Sequence, residues 1–126
     1  MSLAFDSPPV DFSVPNYQDS DTYALDCTDN MLTRQNQIAS VGTAVVTRSD
    51  GFPVSAGDHV VSAAQILAVG TAVDGQTVRY PGTWFAWTGT GGEPNVGYYI
   101  TWPLVLAKNS STIYRTVGLN CRTYVG

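Results

Sequence analysis

Short runs of alternating or β-branched residues, turn signals at intervals of about ten residues, and the lack of a long helical pattern together predict an all-β fold. The expected architecture is an immunoglobulin-like antiparallel β-sandwich of about seven strands, preceded by an extended N-terminal arm. A closed β-barrel is the alternative. At 126 residues the chain has the length of one domain with one core. The arm is placed at residues 1–21 and the sandwich at 22–126.

The arm holds Pro8, Pro9 and Pro15 and four aspartates, with Phe5, Val10, Phe12, Val14 and Tyr17 interspersed. Proline favours extended backbone, and these apolar residues are too many for a purely solvated tail. The segment therefore reads as an arm lying on a neighbouring subunit, with plain disorder as the alternative. From Thr22 the period becomes two: Tyr23, Leu25 and Cys27 share one face, and residues 38–47 are rich in Val and Thr, so both stretches read as strands. The polar run between them could hold one helical turn around Met31 and Leu32, but a connection fits better.

Asp50-Gly51 with Pro53 marks a turn. Residues 59–73 then read as one strand, or two meeting near Gln65, because valines flank the alanines and Gly70 weakens a helix. Asp74-Gly75 is a two-residue hairpin signal leading to a short strand at 76–80. The aromatic "TWFAWTG", the apolar "VGYYITWPLVLA" and the alternating "STIYRTVGLNCRTYV" supply the remaining strands, and Pro103 marks the second as an edge or a bulge. In the last strand Ile113, Arg115, Val117, Leu119 and Cys121 share one face.

The charged fraction is 13%, roughly half the usual share of about 25%, so much of the surface is neutral and rich in Thr, Ser, Gly and Asn. Such a surface fits a protein that packs against other subunits. The net charge is −4, and the single lysine, Lys108, and five arginines are scattered singly, which argues against a nucleic-acid partner. Six of the ten acids precede the first basic residue. No apolar run reaches the length of about 18 residues that a membrane span needs, and the N-terminus lacks the pattern of a signal peptide, so folding in a cytoplasm is expected. Cys27 and Cys121 lie too far apart for a CxxC metal site and read as small hydrophobes, with a disulfide as the alternative.

The glycine-rich "WTGTGGEPN" invites comparison with phosphate-binding loops. A G-x-G-x-x-G fingerprint needs glycine where Pro94 stands, no Gly-Lys-Ser or Gly-Lys-Thr exists, and no helical pattern follows. What remains is a hairpin connection with Glu93 and Asn95 at its tip. His59 beside Asp58 is the one candidate for a hydrolytic triad, and a turn histidine is the commoner role. Asp26, Asp29 and Glu93 are candidate carboxylates for glycoside cleavage, but nothing marks a pocket. Asp19, Asp21, Asp26 and Asp29 could ligate calcium, though without EF-hand spacing. Trp84, Trp87 and Trp102 with Tyr80, Tyr98, Tyr99, Tyr114 and Tyr124 could form a carbohydrate platform, although such residues more often build core and interface. The triplet at 109–111 matches a glycosylation acceptor and reads as a hairpin loop.

Two stretches carry a family resemblance. "DTYALDCTDNMLTRQNQIASVGTAVV", with Tyr23, Leu25 and Asp26, then Thr28-Asp29, then Ile38-Ala39-Ser40, resembles the opening of tailed-bacteriophage fibre-tail adaptor proteins. The end is similar too: a glycine pair, Tyr98-x-Ile100-Thr101, and a final strand introduced by Arg115. Cys27 stands where those proteins usually carry tryptophan or another bulky residue, and residues 52–80 are longer than in the family. The resemblance implies an immunoglobulin-like module in the neck or tail of a virion, present in several copies and joining fibres or neighbouring structural proteins. The expected protein is non-enzymatic, without cofactor or metal, assembled in the host cytoplasm and oligomeric in the particle. Its partners are other virion proteins rather than nucleic acid or membrane, and its expected contacts are Phe5, Val10, Phe12, Val14 and Tyr17 in the arm and Glu93 and Asn95 in the loop. A capsid-decorating protein and a carbohydrate-binding module of a fibre are the alternative functions.

Overall fold

The computed structural model describes residues 10–14, 20–93 and 95–121. The fold is all-β: two sheets, antiparallel in every pairing but one, face each other across the core. In the smaller sheet β2 (Ser20–Asp26) pairs with β9 (Trp84–Thr90) from Ser20↔Thr90 to Asp26↔Trp84. On the far side of β9 lie β5 (Val60–Val61) and β6 (Gln65–Ile66), one after the other. In the larger sheet β10 (Gly97–Leu106) pairs with β11 (Thr112–Cys121) on one side, and with β3 (Ile38–Val41) and then β4 (Val45–Arg48) on the other. A separate hairpin, β7 (Ala72–Val73) with β8 (Gln76–Thr77), turns on Asp74 and Gly75, whose φ of 46° and 79° are both positive as a type I′ turn requires.

Eleven strands are described where about seven were expected. The excess comes from interruption, since β3 with β4 fills one ladder position and β5 with β6 another. Residues 59–73, expected as one or two strands, are broken into β5, β6 and β7. Of the arm, β1 (Val10–Val14) lies parallel to the chain's own β11, in register from Val10↔Val117 to Val14↔Cys121. Phe5 and Tyr17 fall outside the described residues.

Three local expectations are corrected. The polar run after β2 forms a helix, α1 (Thr28–Arg34), rather than a connection. Its apolar content is too small for a periodic signal, but Asp26 Oδ1 accepts the Thr28 N–H at 2.8 Å, Asn30 Oδ1 accepts Arg34 Nε–H at 2.8 Å one turn on, and Met31 is fully buried. Pro103 lies in a central strand, and the register shift falls between Val105 and Leu106 instead. The proline is tolerated because it faces the break between β3 and β4. Its C=O accepts the Gly42 N–H at 2.8 Å on that side, so its missing donor points into the same gap. A Cβ on Gly42 would stand 2.6 Å from Pro103 Cγ, which reserves that position for glycine. Finally, residues 91–96 do not close a hairpin: β9 and β10 belong to different sheets, so the glycine-rich loop crosses from one to the other.

The sheets close on aromatic rings. Trp102 from β10 is fully buried, with ring centroids 5.2 Å from Phe85 and 4.3 Å from Trp87 on β9. Leu25, Ile100, Leu104, Leu106 and Val117 surround them, and Met31 plugs the end beside α1. Truncating a buried tryptophan removes its transfer energy and leaves a cavity. Trp102→Ala is expected to cost about 3–5 kcal/mol in denaturant unfolding, and Trp102→Phe distinctly less.

Candidate functional site

Two deeply buried polar side chains, Asp58 and His59, lie at one end of the sandwich, where the 49–59 and 91–96 loops meet. Arg48 closes β4 opposite Tyr98, an inward position of β10, so its guanidinium enters beneath both loops. It binds Asp50 in a fork, Nε to Oδ1 at 3.0 Å and Nη2 to Oδ2 at 2.7 Å. Its Nη1 donates to Asp58 Oδ1 at 3.0 Å and lies 3.2 Å from Glu93 Oε2. One cation therefore holds three carboxylates, two from the 49–59 loop and one from the 91–96 loop.

Asp58 is 2% exposed and accepts three hydrogen bonds: from Arg48, from Tyr98 Oη–H at 2.6 Å and from the Ser55 N–H at 2.8 Å. Its carboxyl is held below the ordinary range, first by the Tyr98 hydroxyl and then by the Ser55 amide. Asp50 is likewise lowered, chiefly by its bond to Arg48. Tyr98 Oη also accepts the Glu93 N–H at 2.8 Å, so the buried phenol joins the floor of one loop to the backbone of the other.

His59 is 3% exposed, and its Nδ1 lies 2.9 Å from the Gly91 C=O. A carbonyl only accepts, so this nitrogen carries the proton and the ring is the neutral Nδ1–H tautomer. Nε2 is buried with no partner among the described residues and lies against Gly89, where a Cβ would come within 2.7 Å. Burial pushes the His59 pKa down from its ordinary 6.5. Asp58 and His59 are neighbours in sequence but turn to different partners, so they do not form an acid–base relay. Their chemistry is that of a latch, tying the 91–93 backbone to the 58–59 segment.

Above this floor the loop tips are exposed. Phe52 is 66% exposed and its neighbours Pro53 and Val54 are also open to solvent. Phe52 is positioned at its base, with its N–H on Asp50 Oδ1 at 3.1 Å and its ring 5.8 Å from the Arg48 guanidinium carbon. Beside it the expected contact residues Glu93 and Asn95 are both exposed, Asn95 at φ 64°. The described part of the arm ends here too: Val14 is in register with Cys121, the neighbour of Asn120, which pairs with Gly97. The structure thus brings Glu93, Asn95 and the end of β1 to one pole, while Val10 and Phe12 run away from it. Arg48 and Phe52, which the sequence offered only as an isolated charge and as part of a turn, are the residues sequence reasoning missed.

Other candidates resolve differently. Trp84, Trp87 and Trp102 are all buried, as is Tyr98, leaving Tyr80 and Tyr99 as the exposed rings of the candidate carbohydrate platform among the described residues. Asp26 accepts the Thr28 N–H at the start of α1, and no three metal-ligating side chains converge among the described residues. Cys27 is a free, buried thiol, and burial pushes its pKa up to about 11. No family model matches the chain, and no curated protein or solved structure matches it either.

Two outcomes follow from the latch. Folded His59 binds its proton only at a pH below that of an unfolded histidine, so stability is lost as pH falls through about 6.5. The urea midpoint is expected to drop between about pH 7.5 and about pH 5.5, and to drop less in His59→Gln. Arg48→Met, which strands the Asp58 carboxylate, lowers the midpoint at pH 7 by much more than Arg79→Met at an exposed position.

Proposed function

We propose that the chain is a structural protein of a tailed-phage particle, a neck or tail adaptor that acts by docking on other virion proteins. The observation that carries this reading is the clamped pole. A guanidinium and a buried phenol fix two loops whose tips present Phe52, Pro53 and Val54 beside Glu93 and Asn95. An apolar tip on a rigid base loses little conformational entropy on binding, which is what a specific contact requires. The strand order supports an immunoglobulin-like module: β2-β9 with β5 and β6 in one sheet, and β11-β10 with β3 and β4 in the other, correspond to the B-E-D and G-F-C arrangements of that sandwich. The likeness of residues 21–46 and 84–125 to fibre-tail adaptors supplies the particle.

Quantitative mass spectrometry of gradient-purified particles tests the assignment, with a fixed small copy number expected and absence of the protein overturning it. Phe52→Asp is expected to change stability by no more than about 0.5 kcal/mol. If Phe52 anchors the contact, the same change lowers incorporation by a factor of about 30, corresponding to about 2 kcal/mol. Undiminished incorporation removes the pole from the docking surface.

A further inference from the structure

Asp26, Asp29, Tyr80 and Trp84, which the docking pole leaves unused, meet in one cleft. Gln76 and Arg79 complete its polar lining, and its volume of about 380 Å³ is near the lower end for small-molecule sites. Its floor is a tryptophan that stands outside the core. Trp84 is in register with Asp26, one step from the inward pair Leu25 and Phe85, so it occupies an outward position of the smaller sheet. It is nevertheless only 7% exposed. The chain around β8 comes up to it on that outer side, where Gln76 and Arg79 share its cleft.

The polar groups here are open to a ligand. The Trp84 indole N–H has no partner among the described residues, and unlike that of Trp102 it is not sealed from solvent. A side chain more than nine-tenths buried thus keeps its one polar atom free at the cleft floor, where a donor normally has an acceptor. Asp26 Oδ1 accepts the Thr28 N–H at 2.8 Å, which leaves Oδ2 open. Asp29, Gln76 and Arg79 make no side-chain hydrogen bond or ion pair among the described residues. The Tyr80 ring is 45% exposed, on a backbone held by buried Thr83, whose hydroxyl donates to the Tyr80 C=O at 2.7 Å.

We propose that this cleft binds a sugar ring. The mixture of donors and acceptors selects the class. Two carboxylates require donors from the ligand, while the guanidinium, the indole N–H and the Gln76 amide N–H require acceptors, all beside one exposed aromatic ring. Vicinal hydroxyls both donate and accept, and the C–H face of a pyranose covers Tyr80. Other ligands leave part of this set unpaired. A metal ion or a basic side chain satisfies Asp26 and Asp29 alone, and an anion meets two carboxylates against a single guanidinium. An apolar ligand strands every one of these groups.

Nuclear magnetic resonance on the isotope-labelled full chain tests this without any phage component. Glucose, galactose, mannose, N-acetylglucosamine and rhamnose are titrated singly, with arginine amide as the cationic probe. At least one sugar is expected to bind with a Kd of about 1–10 mM, moving the assigned Trp84 indole N–H signal and leaving that of Trp102 in place. Tyr80→Ala, Arg79→Met and Asp29→Asn, all at exposed positions, are each expected to weaken that sugar at least about 10-fold, with circular dichroism showing the fold intact. Tyr99→Ala, on the other sheet, is expected to leave binding unchanged. A Trp84 signal that no sugar moves, a response to arginine amide alone, or sugar binding that survives all three substitutions overturns the inference. Neither result bears on incorporation into particles, which is measured separately.

Discussion

The contact of Trp102 with Phe85 and Trp87 joins two sheets that share no backbone hydrogen bonds. Sheet-to-sheet packing is set by side chains alone, and these three rings occupy the centre of that layer. Leu25 and Tyr23 on β2 are in register with Phe85 and Trp87, so the rings also fix which face of β2 turns inward. The end reached by α1 is closed by Met31, and the opposite end by the Arg48 and Asp58 network. One end is sealed by an apolar plug, the other by an ion-paired polar network.

That second closure explains how charge is used in a chain with so little of it. Arg48 collects Asp50, Asp58 and Glu93, three of the four acids that follow residue 30, and so occupies the place that packing would fill elsewhere. Buried ions are tolerated when charged and polar donors surround them, and Asp58 has three. A network of this kind has only one satisfied arrangement. It gives the exposed tips of the 49–59 and 91–96 loops defined positions, which apolar packing of their short backbones would do poorly.

The sandwich was legible because strand periodicity survives interruption: Tyr23 and Leu25, and later Ile113, Arg115, Val117 and Leu119, alternate as expected, and Asp74-Gly75 turns as its type demands. What failed to read were features fixed by distant residues. The helix at Thr28–Arg34 depends on Asp26 and one buried methionine, not on a periodic stripe. Pro103 is central only because Gly42 and the break after β3 accommodate it, a fact of pairing that no local window contains. The site suffered most. Glu93 and Asn95 were picked out by their turn, but Arg48 and Tyr98, which bind Asp58 from two sides, are fifty residues apart along the chain and meet only through sheet register. An odd charge inside an otherwise neutral β segment, as at Arg48, was the available signal.

The interruption between β3 and β4 also governs what the free margin of the larger sheet can do. A long, flat outer strand exposes a row of unsatisfied N–H and C=O groups on which any extended chain can add, and addition of copy upon copy gives a fibre. In this protein the margin is split into two four-residue segments, and the gap is locked by a proline that has no N–H and a glycine that admits no side chain. Neither segment offers the continuous rungs that a growing filament needs. The same feature that fits a proline into the middle of a sheet therefore acts as a stop against runaway polymerisation, so that crowding of many copies need not end in amyloid.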